Sequence, residues 1–463
     1  MTIHMMEHNQ RLLISFYGDD FTGSTDSMEA LAINGVKTVL FLEPPSSQLI
    51  EQRFPDIQGF GIAGVSRTMG PEEMEQQLRP ILEKLKSFPT PIVHYKMCST
   101  FDSSPAIGSI GKAIDIAAEV YADQHYIALL VGAPVLKRYT LFGNHYATVE
   151  GVTFRLDRHP TMSRHPVTPM DEADLRVHLS QQTDKTIALM DIHDLEGDSD
   201  QIRRQLENRL SNQPGVLLYD VLDDARLTRT GELIWKEALD NANRFVVGSS
   251  GIEYALTSYW QEEGMIIKNH ELLKPRGAVD RIFAVSGSCS PVTEMQLKYA
   301  LDHGFVGVKI EVEMLIEPGE AEQTRRKLFE QASVILDRGF SPLLYTAMGS
   351  EDLSIPAIKQ KLVETGYSTS DTGRLIGAQL GKLTKEIVAE KKLTRFLVAG
   401  GDTSGFVTRE LGIYALEVLM PLAPGGPLCR SYSEDSRFDG IEIVLKGGQV
   451  GKEDYFIRVL EGR

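Results

Sequence analysis

The chain reads as an α/β protein of two domains, 1–270 and 271–463, each built on a mainly parallel sheet, with an interdomain cleft as the expected site. Three observations predict this. Apolar runs of strand length alternate with helical patterns along the chain, the arrangement that buries parallel strands beneath crossover helices. Several of these runs end in small polar turns that open directly into a helix. The alternation then lapses at "GMIIKNHELLKPRGAVD", residues 264–280, where Pro and Gly replace periodicity and a domain boundary belongs.

The elements follow in order. "RLLISFYG", "DDFTGSTDSMEALAING" and "VKTVLFL" read as strand, loop with helix, and strand. Asp26 and Glu29 have capping-box spacing, and Gly35 stands where that helix would end. Further strands are expected at "PIVHYKM", "YIALLVGAP", "TIALMDI", "GVLLYDV" and "RFVVGSS". "GVTFRLDRHPTMSRHPVTPMDEADL" reads as a long loop, after which Thr168-Pro169 can start a helix. Beyond the boundary, "RIFAVSGSCSPVTEMQLKYAL" restarts the α/β pattern, and "RFLVAGG" leads into another helix.

Composition narrows the function classes. The 463 residues are 42% hydrophobic and 24% charged, with a formal net charge of -16 and no Lys/Arg-rich run. Nucleic acid and anionic membrane are therefore not expected as partners, while a small anionic substrate remains open. Cys98, Cys289 and Cys429 are too sparse for a disulfide framework or a zinc site. The start "MTIHMMEHNQRLLISF" lacks the apolar core of a signal peptide, and no apolar stretch approaches the ~20 residues that span a bilayer. A cytoplasmic protein is expected, and a homo-oligomer is compatible with the sequence.

Two loops in the second half look built for an anion. In "AVSGSCSPVTEMQL" a strand ends at Gly287, Ser290 can cap the next helix, and Pro291 suits its first position. Backbone N–H groups and the hydroxyls of Ser288 and Ser290 would then face a phosphate, although a plain capped helix explains the pattern equally well. In "FLVAGGDTSGF" a second strand ends at Gly400-Gly401, followed by Asp402, Thr403 and Ser404. Glycines there let backbone approach a ligand, and Asp402 can cap the helix or reach a metal-bound water. "LKGGQVG", with Gly447 and Gly448, can close over the same ligand. "GFGIAG", residues 59–64, matches a dinucleotide fingerprint literally, but it lacks the strand-to-helix context and reads as a strand leading to Ser66-Arg67.

The first half offers "HYKMCSTFDSSPAIG". Lys96 at a strand end can meet a carboxylate or phosphate, and Ser99 and Thr100 offer hydroxyls. Ser103 and Ser104 suit capping of the next helix better. Arg67 can clamp a carboxylate, His165 is a weaker candidate, and Cys98 reads as an inert thiol.

Together "GDDFTGSTD", "YKMCST", "VSGSCSPVTEMQ", "AGGDTSG" and "LKGGQVG" resemble the four-carbon acid sugar kinase family, from about residue 12 to about 455. The resemblance implies an ATP-dependent kinase for tetronates and related acid sugars, with an N-terminal substrate domain and a C-terminal nucleotide domain. It assigns Ser288, Ser290, Gly400 to Ser404, Gly447 and Gly448 to ATP. Asp19 and Asp20 would then meet sugar hydroxyls, Asp20 as base with Asp19 assisting, and Arg67, Lys96, Ser99 and Thr100 would bind substrate. Positioning and charge neutralisation by Mg²⁺ would supply most of the acceleration. The family's K-x-D-S-T-L-R-G pattern is altered here: Cys98 replaces an aspartate and Asp102 an arginine. That argues against a tetronate with the usual hydroxyl pattern, and the family resemblance, which includes a kinase for 3-oxo-isoapionate, implies a branched or oxidised acid sugar of that kind as a candidate. The competing readings are a nicotinamide-dependent sugar-acid dehydrogenase and a sugar-acid sensor without catalysis.

Overall fold

A computed structural model describes residues 12–463, apart from 166, 241–242, 318, 366 and 368–371. The chain divides between Asn269 and His270 into two compact units. The first holds strands β1 (Ile14–Gly18), β2 (Thr38–Phe41), β3 (Gly59–Ala63), β4 (Ile92–Lys96), β5 (Ile127–Leu130), β6 (Arg138–Leu141), β7 (Asn144–Val149), β8 (Val152–Arg155), β9 (Ile187–Met190), β10 (Val216–Tyr219) and β11 (Arg244–Gly248). Its main sheet runs β2-β3-β1-β4-β11-β5-β10-β9, and each neighbouring pair is parallel. β1, β4 and β11 are buried at every residue, as strands covered on both faces must be.

β1 lies between β3 and β4. The chain leaves β1 toward β2 on one side, and later crosses from β3 to β4 on the other. Such a reversal of winding opens a crevice beyond the carboxyl ends of the strands. "GFGIAG" belongs to β3 and runs into a 3₁₀ turn, Ser66–Thr68, so no helix opens at its third glycine. Gly61 is there for packing: a Cβ would lie 2.1 Å from the Phe16 ring.

Several local expectations need correction. The first helix spans Phe21–Ile33 and is capped by Asp20, whose carboxylate accepts from Gly23 N at 2.6 Å. Asp26 therefore lies in the helix body, and its spacing to Glu29 caps nothing. Gly35 does end that helix region, at φ +102. No helix starts at Thr168; Asp174 caps Leu175–Ser180 instead, because it supplies the carboxylate that the Arg176 N–H needs. The long loop begins with β8, third strand of the antiparallel sheet β6-β7-β8. These strands are half exposed and lack the continuous apolar runs of the main sheet, which hid them in the sequence.

The second unit holds β12 (Phe283–Ser286), β13 (Phe305–Lys309), β14 (Ser341–Tyr345), β15 (Arg395–Ala399), β16 (Ile413–Met420), β17 (Leu428–Ser433) and β18 (Glu442–Lys446). Its order is β13-β14-β12-β15-β18-β17-β16, parallel through β18 and antiparallel beyond. β12 repeats the situation of β1, with β14 on one side and β15 on the other. Ala284, Leu297, Leu343, Leu397, Val444 and Phe456 are among the buried residues that fix this arrangement. Among the described residues no helix is long and apolar enough to cross a membrane.

Candidate active site

The carboxyl ends of β1, β3 and β4 bring four of the expected residues together. Backbone bonds continue past the strands, Asp19 N to the Lys96 carbonyl at 2.8 Å and Arg67 N to the Asp19 carbonyl at 3.0 Å, so the loops are held in register. Arg67 forks onto Asp19, with Nη2 to Oδ1 at 2.7 Å and Nε to Oδ2 at 3.2 Å, and its Nη1 donates to Asp20 Oδ2 at 2.7 Å. Burial lifts Asp19 above the ordinary carboxylate range; Arg67 opposes that rise and the Asp20 charge adds to it. Lys96 lies 3.3 Å from Asp26 Oδ2. Burial disfavours its charge, but Asp26 and the surrounding acids hold it above the ordinary lysine value. Gly23 sits where these groups meet: a Cβ would lie 2.5 Å from Asp20 Oδ1, 3.3 Å from Lys96 Nζ and 3.6 Å from Arg67 Nη2.

The segment after Lys96 is internally bonded. Thr100 Oγ1 donates to Asp102 Oδ1 at 2.7 Å, so the Cys98 thiol, 2.9 Å away, donates to Thr100. Burial pushes that thiol up to about 11, which makes it inert as a nucleophile. Phe101, fully buried, takes φ +59, a left-handed conformation that turns the chain between Thr100 and Asp102. The Ser99 carbonyl accepts from His145 Nε2 at 2.8 Å, and His145 Nδ1 faces Thr140 Oγ1 at 3.0 Å. Burial pulls His145 down to about 4, so its neutral ring carries the proton on Nε2, the only nitrogen facing a pure acceptor. His145 thus ties β7 to this segment, a role the sequence did not disclose. Ser104 bonds within its own connection, Ser103 also accepts from Gln182 Nε2 at 2.9 Å, and neither caps a helix; Ser109 caps the next one. His165 accepts from Thr168 N at 3.1 Å within its own loop.

In the second unit the expected loops meet at the end of β12. Ser290 caps the helix Pro291–Asp302 as expected, accepting from Thr293 N at 3.1 Å. Its hydroxyl also donates to the Gly448 carbonyl, as does Thr293 Oγ1 at 2.9 Å, which joins the loop after β18 to the loop after β12. Gly287 and the 400–404 loop are equally close: a Cβ on Gly287 would lie 2.1 Å from Thr403 Oγ1. Gly400 has φ +122, a conformation left to glycine. The Ser404 hydroxyl bonds back to the Gly400 carbonyl at 2.7 Å and is fully buried. Beside Gly401 there is open space within 4 Å of a built Cβ. Two helix N-termini, of Pro291–Asp302 and Gly401–Glu410, therefore open at the ends of adjacent strands, an arrangement that suits phosphate groups.

Sequence reasoning missed two parts of this site. A cavity of about 360 Å³ adjoins the loops, lined by Gly287, Cys289, Ile355, Ile358, Ile376 and Asp402 among others. Its apolar wall is what a nucleoside requires beside a phosphate loop. Lys446, at the end of β18, is fully buried and donates to Thr293 Oγ1 at 3.0 Å. Burial alone pushes it down to about 7. It precedes the noted glycines, and a lysine ending an apolar strand was the available signal. For a metal, the described residues hold no cluster of three His, Cys, Asp or Glu side chains. Mg²⁺ bound through phosphates needs only one or two carboxylates, and Asp402 on the cavity wall meets that requirement.

Comparison with known proteins agrees with both halves. Residues 14–256 match the model of a sugar-binding N-terminal domain, and residues 283–456 that of a nucleotide-binding C-terminal domain. The chain is 43% identical to a 3-oxo-isoapionate kinase of Paraburkholderia graminis over 98% of this chain and 95% of that one. It is 27% identical to a 3-oxo-tetronate kinase of Pectobacterium atrosepticum, over 95% and 96% of the two chains. A crystal structure of a Haemophilus influenzae protein shares the fold, with a TM-score of 0.71 at 23% identity, covering 96% of this chain and 98% of the other. The chain belongs to the four-carbon acid sugar kinase family and is an ATP-dependent acid sugar kinase.

Proposed function

We propose that this enzyme transfers the γ-phosphoryl group of ATP to a hydroxyl of a branched or 3-oxo acid sugar, with 3-oxo-isoapionate as the favoured substrate. The observation that carries the substrate choice is the Cys98–Thr100–Asp102 relay, which occupies the segment following Lys96 with a thiol and a carboxylate in place of the family's aspartate and arginine. The similarity to a 3-oxo-isoapionate kinase supports it.

In this reading Asp20 accepts the proton as the sugar oxygen forms its bond to the γ-phosphorus and the bond to the β-phosphate oxygen breaks, releasing ADP. Asp20 has the more open carboxylate, its side chain 29% exposed against 3% for the side chain of Asp19, so it meets the substrate while Asp19 fixes Arg67. Lys96 and Ser99 complete the substrate surface. The turns at 287–290, 400–404 and 447–448 hold the phosphates, and the cavity by Ile355 and Ile376 takes the nucleoside. Mg²⁺ accompanying ATP, held by the phosphates and Asp402, would neutralise phosphate charge. Three free thiols suit a reducing compartment, and we place the enzyme in the cytoplasm.

The test is ADP release across a panel of acid sugars, with wild type and with Cys98→Asp/Asp102→Arg. Wild type should favour 3-oxo-isoapionate, and the double variant should shift relative kcat/KM toward ordinary tetronates. An unchanged ratio removes this segment from substrate selection.

A further inference from the structure

We infer that Arg138 is the group that receives the carboxylate of the substrate, an assignment that rests on the acid-sugar reading above. The cations around the first-unit site differ in what already holds them. Arg67 is already bonded to two aspartates, and Lys96 is paired with Asp26. Arg138, on β6, has no carboxylate within ion-pairing distance among the described residues. Its Nη1 donates only to backbone carbonyls, of Leu136 at 3.1 Å and of Lys137 and Thr148 at 3.3 Å. Its Nε is buried and bonds to nothing.

A guanidinium is always charged, and a buried N–H without a partner is costly, so this arrangement is incomplete without an anion. The structure also places Arg138 on the correct segment. His145 on β7, the strand paired with β6, bonds the Ser99 carbonyl, which docks the hairpin against residues 98–102. Arg138 is within electrostatic reach of Cys98 and Asp102, and Cys98 is also within reach of Arg67. A small acid sugar with hydroxyls toward Asp20 and carboxylate toward Arg138 would therefore pass over Cys98. Burial lowers Arg138 from its ordinary value, the direction that an incoming carboxylate reverses. The free Nε and Nη2 edge offers two parallel donors, the geometry that carboxylates take best.

Calorimetric titration of wild type, Arg138→Gln and Arg138→Lys tests this. The probes are 3-oxo-isoapionate, D-erythronate and the neutral polyol erythritol, with ADP as an internal control for folding. Arg138→Gln should weaken binding of the acids about 10- to 100-fold, the usual range for a charge-assisted pair, and leave ADP and polyol binding unchanged. Arg138→Lys should recover part of the loss. The acid-to-polyol preference is the deciding quantity: if Arg138→Gln keeps the wild-type preference, or if wild type binds neither acid, the assignment is overturned. Loss of acid binding in a protein whose wild type binds acid but makes no ADP supports the clamp and refutes the kinase reading alone.

Discussion

Arg67 holds both oxygens of Asp19 and one oxygen of Asp20, so a single guanidinium restrains two adjacent carboxylates at the end of β1. Asp19 is only 2% exposed. Removing its partner would leave a buried charge without compensation, which typically costs about 3–5 kcal/mol.

Arg67→Met should therefore lower stability by about that amount at neutral pH, and Arg67→Met/Asp19→Asn should recover much of it. The sign with pH follows from Asp19, whose folded value lies above the ordinary one. The folded state holds the extra proton, so this contribution favours folding at low pH and is lost as pH rises through the folded value. Without Arg67 the folded value rises further, and the single variant should be relatively more stable at pH 5 than at pH 8. Urea unfolding at both pH values checks this. Equal loss at both values would mean that Asp19 is not the strained group.

Beyond its pair with Arg67, Asp20 has two functions that one substitution separates. It caps the first helix through Gly23 N, and in the proposed mechanism it accepts a proton. Asparagine caps helices about as well as aspartate but is no base. Asp20→Asn should keep the cap, give up the part-exposed pair with Arg67 at a cost of about 1 kcal/mol or less, and lose about 10²–10⁴-fold in kcat, with ADP affinity unchanged. Asp19→Asn should reduce kcat less. If Asp19→Asn is the more damaging change, the base is Asp19; if neither matters, the acids only shape the turn.

The parallel core was legible because β1, β4, β5, β10 and β11 are buried along their length and read as mainly apolar runs, unbroken in β5 and β10. The half-exposed hairpin β6-β7-β8 gave no such signal, and with it went Arg138 and His145. Asp19, Asp20, Arg67 and Lys96 were legible as strand-end residues, and the fold brings them together. That Asp20, rather than Asp26, caps the helix depended on where the helix begins, and boundaries are set by tertiary contacts more than by spacing. Lys446 was missed because its burial depends on loops distant in sequence.

Gly401 gives a clean probe of the nucleotide loop. A Cβ there meets nothing within 4 Å, so Gly401→Val should fold normally. The added side chain would occupy the space at the helix N-terminus assigned to phosphate. ADP affinity measured by calorimetry should fall at least tenfold, with D-erythronate binding unaffected. Unchanged ADP affinity would remove this turn from the nucleotide site.

Lys446 makes two predictions of opposite sign. Its folded value of about 7 lies below the ordinary lysine value of 10.5, so between those limits the unfolded chain binds the extra proton. Stability should consequently rise with pH from about 7 to 10.5, and Lys446→Met should abolish that part of the rise. No charged group enters the balance: Nζ faces the hydroxyl of Thr293, and burial is the sole cause of the shift. Nucleotide phosphate brings the missing negative charge and should return the proton to Lys446. Above pH 7, binding ADP then requires proton uptake, and affinity should fall by up to about tenfold per pH unit. Calorimetry at pH 7.5 and 8.5, in two buffers of different ionisation heat, measures both affinity and protons. A buffer-independent enthalpy and a flat affinity would show that Lys446 stays neutral beside the phosphates, whereas loss of the slope in Lys446→Met would identify it as the group that charges when nucleotide binds.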